Sequence, residues 1–375
     1  MRTEMKRSFL AEAGWADAQI ATLAGDASNR RYDRVSGAKG RAVLMDAPAE
    51  RGEDISVFLD FTALLRAQGL SAPDIYHADE AAGFALLEDL GDHLFARVAA
   101  TAPQTEELIY GASVDLLADM HAAAPPKAAR LRDISPYDAG VLAREGSLIT
   151  EWWFPAATGQ SVTADMQAEF DGVLCDACAR VSVQRDALVL RDYHAENLLW
   201  LPERTGAARV GLLDYQDALI GGRAYDLVSL LEDARRDTSA ELRDAMIRRY
   251  VAASGVEEGA FASDYAVLGA QRNLKIVGIF ARLWLRDGKV GYLDMIPRVW
   301  GHLMRDLAHP DLTALARPQG LTDIDPDVIF VALSTDIEPV GPMPTLSPSV
   351  SKCTNKYFSE IKHFAGQPLS MIIYT

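Results

Sequence analysis

The sequence predicts an α+β protein built from two lobes, a small β-rich lobe in residues 1–90 and a larger, mainly helical lobe in residues 91–317. Short apolar runs bounded by glycine, proline and polar residues fill the first part, whereas the second part carries apolar residues at the i, i+3, i+4 spacing of helices. With 375 residues, of which 49% are hydrophobic, the chain exceeds one typical domain and can bury a substantial core.

The first lobe begins with a predicted helix, because apolar residues recur at near-helical intervals over residues 8–24. The elements predicted after it are strands near Val35 and over residues 41–45, a helix from Ile55 that ends at Gly69, and strands over residues 75–78 and 83–87. The turn at residues 25–29 can present backbone N–H groups and the Ser28 hydroxyl to nucleotide phosphates. Its alternative interpretation is an ordinary helix C-cap and turn.

The second lobe shows helical spacing over residues 106–123 and over residues 264–286. Between these helices, Glu145 precedes the aromatic pair Trp152 and Trp153. Aromatic rings beside carboxylates can stack on a sugar face and bind its hydroxyls, or the tryptophans can bury a helix end in the core. The sequence leaves both interpretations open.

A β-hairpin is predicted by two apolar runs, residues 198–201 and 209–213, which are separated by proline, glycine and polar residues. In an antiparallel hairpin the residue before the first strand neighbours the residue after the second, so Asn197 and Asp214 are expected to lie within about 5 Å of each other. Asp192 lies on the loop that enters the hairpin. Carboxylate and amide oxygens suit Mg²⁺, and an Asp five residues before an Asn is the pattern of phosphoryl-transfer sites.

The segments R-D-Y-H-A-E-N and L-L-D-Y-Q-D-A, which contain these residues, resemble the aminoglycoside phosphotransferase family, distant relatives of protein kinases. The resemblance implies a bilobal protein-kinase-like fold with ATP in the cleft, Asp192 as catalytic base, and Asn197 and Asp214 as Mg²⁺ ligands. It also implies supporting roles for Arg191 and for Asp226, which is expected to act as N-cap and loop brace. The sequence departs from the family at Leu190, where the family usually has His.

Further sequence segments resemble one branch of that family, the sugar kinases that phosphorylate N-acetylmuramate and N-acetylglucosamine at the anomeric hydroxyl in cell-wall recycling. The similar segments are G-D-A-S-x-R-R-Y from Gly25, Q-R-N-L-K-I-V-G-I-F-A-R from Gln271 and R-D-G-K-x-x-Y-L from Arg286. The resemblance implies nucleotide binding by Ser28, Arg30, Arg31, Glu88 and Leu90, the last two in the connector between the lobes. It implies sugar binding by Glu145, Trp152 and His194. An aminoglycoside or another small alcohol is the alternative acceptor.

The small lobe lacks the lysine that kinase-like folds place on the third strand to bind the α and β phosphates. Met45 occupies the expected region, and no lysine occurs between Lys39 and Lys127. Arg30, Arg31 or Arg41 must then supply the positive charge. If none does, the chain is a nucleotide-binding pseudokinase.

Composition disfavours several other classes of protein. The formal net charge of -16, without a basic run, opposes nucleic-acid binding. No apolar run reaches the roughly 18 residues that cross a bilayer, and the first residues do not form a secretory signal, so a cytoplasmic protein without membrane contact is expected. A monomer is favoured, and the three cysteines are too few for a disulfide framework.

The last segment, residues 318–375, has a different composition from the rest of the chain. It contains no arginine, although arginine is frequent before it, and four prolines fall between Pro339 and Pro348. The sequence therefore predicts an appended or poorly ordered tail.

Overall fold

One antiparallel sheet organises the small lobe of the computed structural model. The structure describes residues 2–23, 30–122, 134–182 and 187–316, so the loop with Ser28 and the predicted tail lie outside the described residues. In the described part of the lobe the strands, in the spatial order β1-β2-β3-β5-β4, are Gln19–Thr22 (β1), Arg31–Gly37 (β2), Gly40–Asp46 (β3), Phe84–Glu88 (β5) and Ile75–Asp79 (β4). The strands predicted from Val35 to residue 87 are confirmed.

A helix covers each face of this sheet: Arg2–Glu12 (α1) on one side and Ile55–Ala67 (α2) on the other. Successive strand residues point to opposite faces, which allows both faces to be apolar. Leu44 and Phe84 pack with Phe9 of α1, whereas the adjacent Met45 belongs to the core that contains Phe58 of α2. The central strands β3 and β5 are therefore covered on both faces.

The prediction of one helix over residues 8–24 is wrong in its second half. Helix α1 ends at Glu12, Gly14 adopts a φ of +77°, and the chain then forms the strand β1 at the sheet edge. Glycine takes positive φ without steric cost, and β-branched residues such as Ile20 and Thr22 suit a strand. The residues of β1 are exposed along its length, so the helical spacing of its apolar residues does not mark a buried helix face.

The large lobe is mainly helical. Its helices in the described residues are Phe95–Thr101 (α3), Glu106–Ala122 (α4), Ala139–Gly146 (α5), Phe154–Thr158 (α6), Ala164–Ser182 (α7), Ala224–Leu231 (α8), Ala240–Ser254 (α9), Glu258–Asp287 (α10), Ile296–Leu307 (α11) and Thr313–Ala316 (α12), and a π-helical segment, Ile149–Trp153, precedes α6. Helix α10 is central, since it packs against α5, α7, α8 and α11. The helices predicted over residues 106–123 and 264–286 are confirmed. Within the described ranges, no helix has both the length and the apolar content needed to cross a bilayer.

Two short strand pairs interrupt the helices next to the small lobe. Strands Leu198–Trp200 (β7) and Val210–Leu212 (β8) form the predicted hairpin, and Ala187–Val189 (β6) pairs with Leu219–Gly221 (β9). These pairs bracket the loops that carry Asp192 and Asp214. The bilobal kinase-like architecture is confirmed.

Direct contacts join the small lobe to this region. The Thr62 hydroxyl of α2 lies 2.6 Å from the Tyr215 hydroxyl, and the Phe58 ring stacks on the Tyr215 ring at 5.5 Å. The backbone N–H of Leu212 donates to the Ser71 carbonyl at 3.0 Å. Because Tyr215 follows Asp214 and Leu212 precedes it, these contacts fix the position of Asp214 relative to α2.

Gly278 of α10 allows a close approach between helices, and its replacement gives a testable stability difference. A Cβ at this position would lie 2.3 Å from the Leu148 carbonyl carbon and 2.6 Å from the Ile149 backbone N. Because backbone cannot rotate away, Gly278→Ala is expected to destabilise the fold by about 1–3 kcal/mol in urea unfolding.

Gly301 provides the matched control. It lies in α11, and its added Cβ would meet no atom within 4 Å. Gly301→Ala is expected to stabilise by about 0.5–1 kcal/mol, because alanine loses less backbone entropy in a helix. Destabilisation of equal size by both changes would contradict the close packing at Gly278.

Candidate active site

The hairpin β7–β8 brings Asn197 and Asp214 to the same end of two paired strands. The Leu213 backbone N–H donates to the Asn197 carbonyl at 3.0 Å, so Asn197 lies opposite Leu213 and Asp214 follows one residue later. The sequence predicted the proximity but placed Asp214 directly opposite. Asp214 has a φ of +55°, which turns the chain immediately after the strand.

Asn197 also closes the loop that carries Asp192. Its Nδ2 donates to the Asp192 carbonyl at 3.0 Å, and its backbone N–H donates to the His194 carbonyl at 2.9 Å. With Nδ2 directed at the loop, the Asn197 Oδ1 faces away from it. Asp192 and Asn197 are thus parts of one hydrogen-bonded turn.

The donor set fits a magnesium ion. Asp214 Oδ1 accepts a hydrogen bond from Gln216 Nε2 at 2.8 Å, which orients the carboxylate. One carboxylate and one amide oxygen suit Mg²⁺, which keeps further positions for water and phosphate oxygens. In the part of the chain that the structure describes, no group of three or more His, Cys, Asp or Glu side chains could hold a metal ion unaided. Any Mg²⁺ at this site would complete its coordination with water or phosphate oxygens.

Arg191, immediately before Asp192, is held in an unusual backbone conformation. Apart from Asp214, it is the one non-glycine residue in the described ranges with a positive φ, at +70°. Such conformations cost about 1–3 kcal/mol and persist where surrounding contacts fix them. The Asp226 carboxylate accepts from the backbone N–H groups of Leu190 and Arg191 at 2.7 and 2.8 Å, and the Arg191 carbonyl accepts from the Ser229 hydroxyl at 3.1 Å.

Asp226 itself is fully buried in the first turn of α8, so it is not the N-cap residue that the sequence predicted. Burial raises its pKa to about 7, although the two backbone donors favour the charged form. Its visible contacts are those of a brace for the Asp192 loop.

Glu145 is the centre of a charged cluster at the other side of Arg191. Its Oε1 lies 2.5 Å from Arg191 Nη2, and its Oε2 lies 2.8 Å from Lys275 Nζ and accepts a hydrogen bond from the Tyr137 hydroxyl. Burial would raise the Glu145 pKa, but Lys275 and Arg191 together lower it below its usual value. The carboxylate is therefore ionised and shared between two cations.

His194 and the tryptophan pair occupy different environments. His194 is 7% exposed, and its burial lowers its pKa to about 4, so the imidazole is neutral at pH 7. Its Nε2 lies 3.4 Å from Asn197 Nδ2. Trp153 is buried against Trp300, whereas Trp152 remains half-buried. The core interpretation thus applies to Trp153, and Trp152 stays a candidate for sugar contact.

Of the residues predicted to bind nucleotide, Arg30 and Arg31 lie at the start of β2, and Glu88 and Leu90 lie at and just after the end of β5. Glu88 ends β5, where its carboxylate pairs with Arg204 at 2.5 Å, and its backbone N–H donates to the Asp74 carbonyl. Leu90 follows in the connector. Arg30 is largely buried beside Glu53, and Arg31 is exposed. Their roles stay predictions.

Sequence reasoning missed several residues of this region. Lys275 and Tyr137 belong to the Glu145 cluster, and Glu53 pairs with Arg30. Lys275 was visible inside the Q-R-N-L-K-I-V-G segment, but helical periodicity assigned that segment only to the core. No local pattern marked Tyr137, which is eight residues before Glu145, or Glu53, which is 23 residues after Arg30, because neither pair lies within one helix or strand.

Comparison with known proteins agrees with this geometry. Residues 19–262 match the profile of the phosphotransferase enzyme family. A curated protein of Caulobacter vibrioides named N-acetylmuramate/N-acetylglucosamine kinase is 39% identical over 84% of this chain and 94% of its own length. A protein of the same name from Pseudomonas aeruginosa is 32% identical over 83% of this chain and 93% of its own.

Among solved structures, a putative aminoglycoside phosphotransferase from Ralstonia eutropha superposes with a TM-score of 0.57 at 15% identity. The match covers 81% of this chain and 96% of that one, and it supports the fold. From the family match over most of the two lobes and the high coverage of the curated relatives, the chain belongs to the phosphotransferase enzyme family.

Proposed function

We propose that this protein transfers the γ-phosphoryl group of ATP to the anomeric hydroxyl of an amino sugar, N-acetylmuramate or N-acetylglucosamine. The observation that carries the proposal is its similarity, over 84% of the chain, to a curated kinase named for these two sugars. The residues that such a transfer requires, Asp192, Asn197 and Asp214, are present in one loop and hairpin. The expectations of a monomer and a cytoplasmic location remain part of the proposal.

In the proposed reaction, the Asp192 carboxylate orients the sugar hydroxyl and accepts its proton as the hydroxyl oxygen bonds to the γ-phosphorus. The bond between that phosphorus and the β,γ-bridging oxygen breaks, and ADP leaves. Asn197 Oδ1 and the Asp214 carboxylate would hold Mg²⁺, which offsets charge on the phosphates. Asp226 and Ser229 keep the strained Arg191 backbone, and with it the Asp192 loop, in position.

An acceptor comparison tests the proposal. The purified protein is incubated with MgATP and N-acetylmuramate, N-acetylglucosamine or kanamycin, and NMR locates any new phosphate. Phosphorylation of either amino sugar at the anomeric oxygen is expected. Turnover of kanamycin alone would show that the acceptor is an aminoglycoside and not an amino sugar. Nucleotide binding without any product would favour the pseudokinase alternative.

For the sugar side of the site, we propose that Trp152 stacks on the acceptor and that His194 orients Asn197. Trp152 is half-buried in the π-helical segment, so part of its ring can meet a sugar face. His194 is neutral and lies against the Asn197 amide, which suits a supporting contact better than binding of a sugar hydroxyl.

Glu145 has two possible roles that kinetics can separate. Both of its oxygens already contact cations, and one of these, Arg191, precedes Asp192. We therefore expect Glu145→Gln to lower kcat about 10-fold while the KM for sugar changes less than about 2-fold, because Asp192 loses orientation.

A direct sugar contact by Glu145, as the family resemblance implies, would instead raise the KM with kcat retained. Glu151→Gln is the control, since Glu151 is exposed in the adjacent segment and should leave both constants unchanged.

A further inference from the structure

A buried apolar side chain occupies the position where kinase-like folds carry the phosphate-binding lysine. Met45 of β3 is buried in the core with residues of α2, and it lies opposite Tyr32 of β2 in the sheet. The two lysines of the small lobe are engaged elsewhere. Lys6 pairs with Asp33 at 2.5 Å beneath α1, and Lys39 donates to the Ala13 carbonyl at the lobe's outer edge. A positive charge for the phosphates must come from another residue type.

Three arginines were candidates, and their environments differ. Arg31 is exposed, and the Arg41 side chain is 58% exposed, 3.6 Å from an Asp89 carboxylate that pairs more closely with Arg34. The Arg30 side chain is only 13% exposed, and its Nε lies 2.7 Å from Oε2 of Glu53, which is 12% exposed. Burial of a guanidinium costs free energy unless the group is paired and hydrogen-bonded, as Arg30 is with Glu53.

The partner of Arg30 lies at the start of the helix that contacts the metal-binding segment. Glu53 directly precedes Asp54, the N-cap of α2. Farther along the same helix, Phe58 and Thr62 contact Tyr215, which follows Asp214. In kinase-like folds an ion pair between a small-lobe cation and this helix marks the competent site.

Tyr32 connects Arg30 with the proposed metal site. Burial raises the pKa of the Tyr32 phenol, the Asp214 carboxylate raises it further, and the Arg30 guanidinium opposes both through its charge and a hydrogen bond. Arg30 and Asp214 are therefore both near the phenol. A guanidinium has five N–H donors, so pairing with Glu53 through Nε is compatible with contact to phosphate oxygens.

Building on the proposed kinase function, we propose that Arg30, positioned by Glu53, binds the α and β phosphates of the nucleotide in place of the lysine that β3 lacks. The cation then comes from the start of β2, and the ion pair with the α2 region is kept with arginine in place of lysine.

Calorimetric binding of two probes, MgADP and adenosine, tests this assignment without any sugar. Adenosine lacks phosphates, so a phosphate-binding arginine affects only MgADP. Arg30→Met is expected to weaken MgADP binding at least about 10-fold and to leave adenosine binding within about 2-fold. Glu53→Gln, which frees Arg30 to move, should weaken MgADP binding by a smaller factor, and Arg30→Lys should retain part of the affinity.

Arg7→Met is the matched control, because it removes an exposed arginine of α1 in the same lobe, and it should bind both probes like the wild type. Melting temperatures identify a variant that fails to fold, in which case Glu53→Gln and Arg30→Lys carry the test. Unchanged MgADP affinity in Arg30→Met overturns the assignment while the kinase proposal stands. If the wild-type protein binds neither probe, the kinase proposal fails together with it.

Discussion

Asp192→Asn is expected to lower kcat for sugar phosphorylation by about 10³-fold, the middle of the range for a lost general base. Asparagine keeps the shape of aspartate and can still contact the hydroxyl, but it cannot accept the proton. The KM for ATP and for sugar should therefore change by less than about 3-fold, since ground-state contacts remain. Steady-state kinetics with both substrates varied measures kcat separately from the two KM values.

The loop around Asp192 should tolerate this change, because the contacts found for it use main-chain atoms. The Asp192 N–H donates to the Leu190 carbonyl at 2.9 Å, and the Asp192 carbonyl accepts from Asn197 Nδ2 at 3.0 Å. The melting temperature should thus match the wild type. Glu203→Gln is the control, since Glu203 is an exposed carboxylate in the loop between β7 and β8 and should retain full activity. A variant Asp192→Asn with more than about a tenth of wild-type kcat would remove Asp192 from the role of base.

The catalytic segment was predictable because its chemistry is local in sequence. Asp192 and Asn197 lie on one turn, and a hairpin of fewer than 20 residues brings Asp214 beside them. Short apolar runs separated by turn residues predict such a hairpin without knowledge of the rest of the fold. The sequence placed Asp214 opposite Asn197, whereas the structure has Leu213 there, because Asp214 already belongs to the turn, with its φ of +55°.

The contacts that hold the segment were not predictable from local patterns. Asp226 contacts Leu190 across 36 residues, and Lys275 reaches Glu145 from the central helix α10. In a helix with the apolar spacing of a core element, nothing in the sequence distinguishes a lysine directed at a carboxylate from one directed at solvent. The same limit applies to Arg30 and Glu53, whose pairing depends on how α2 meets the sheet.

Asp214→Asn is expected to reduce kcat/KM for MgATP by about 10²- to 10³-fold, because a ligand to Mg²⁺ supplies several kcal/mol at the transition state. Asparagine is the informative replacement at this position. Asn tolerates left-handed backbone better than most residues, so the φ of +55° can be kept while the negative charge is lost. Asp214→Ala would add backbone strain and mix a stability loss with the metal effect.

The magnesium dependence shows whether the lost activity of Asp214→Asn comes from weaker binding of the ion. With the carboxylate gone, the Mg²⁺ concentration for half-maximal rate should rise at least about 10-fold, and part of the lost activity should return at high Mg²⁺, because binding follows mass action. Asp192→Asn provides the contrast, since it should lower the maximal rate without shifting the Mg²⁺ requirement. An Asp214→Asn variant with wild-type magnesium dependence would show that the ion is held elsewhere, and the placement of Asn197 and Asp214 at the same end of the hairpin would then serve only the turn.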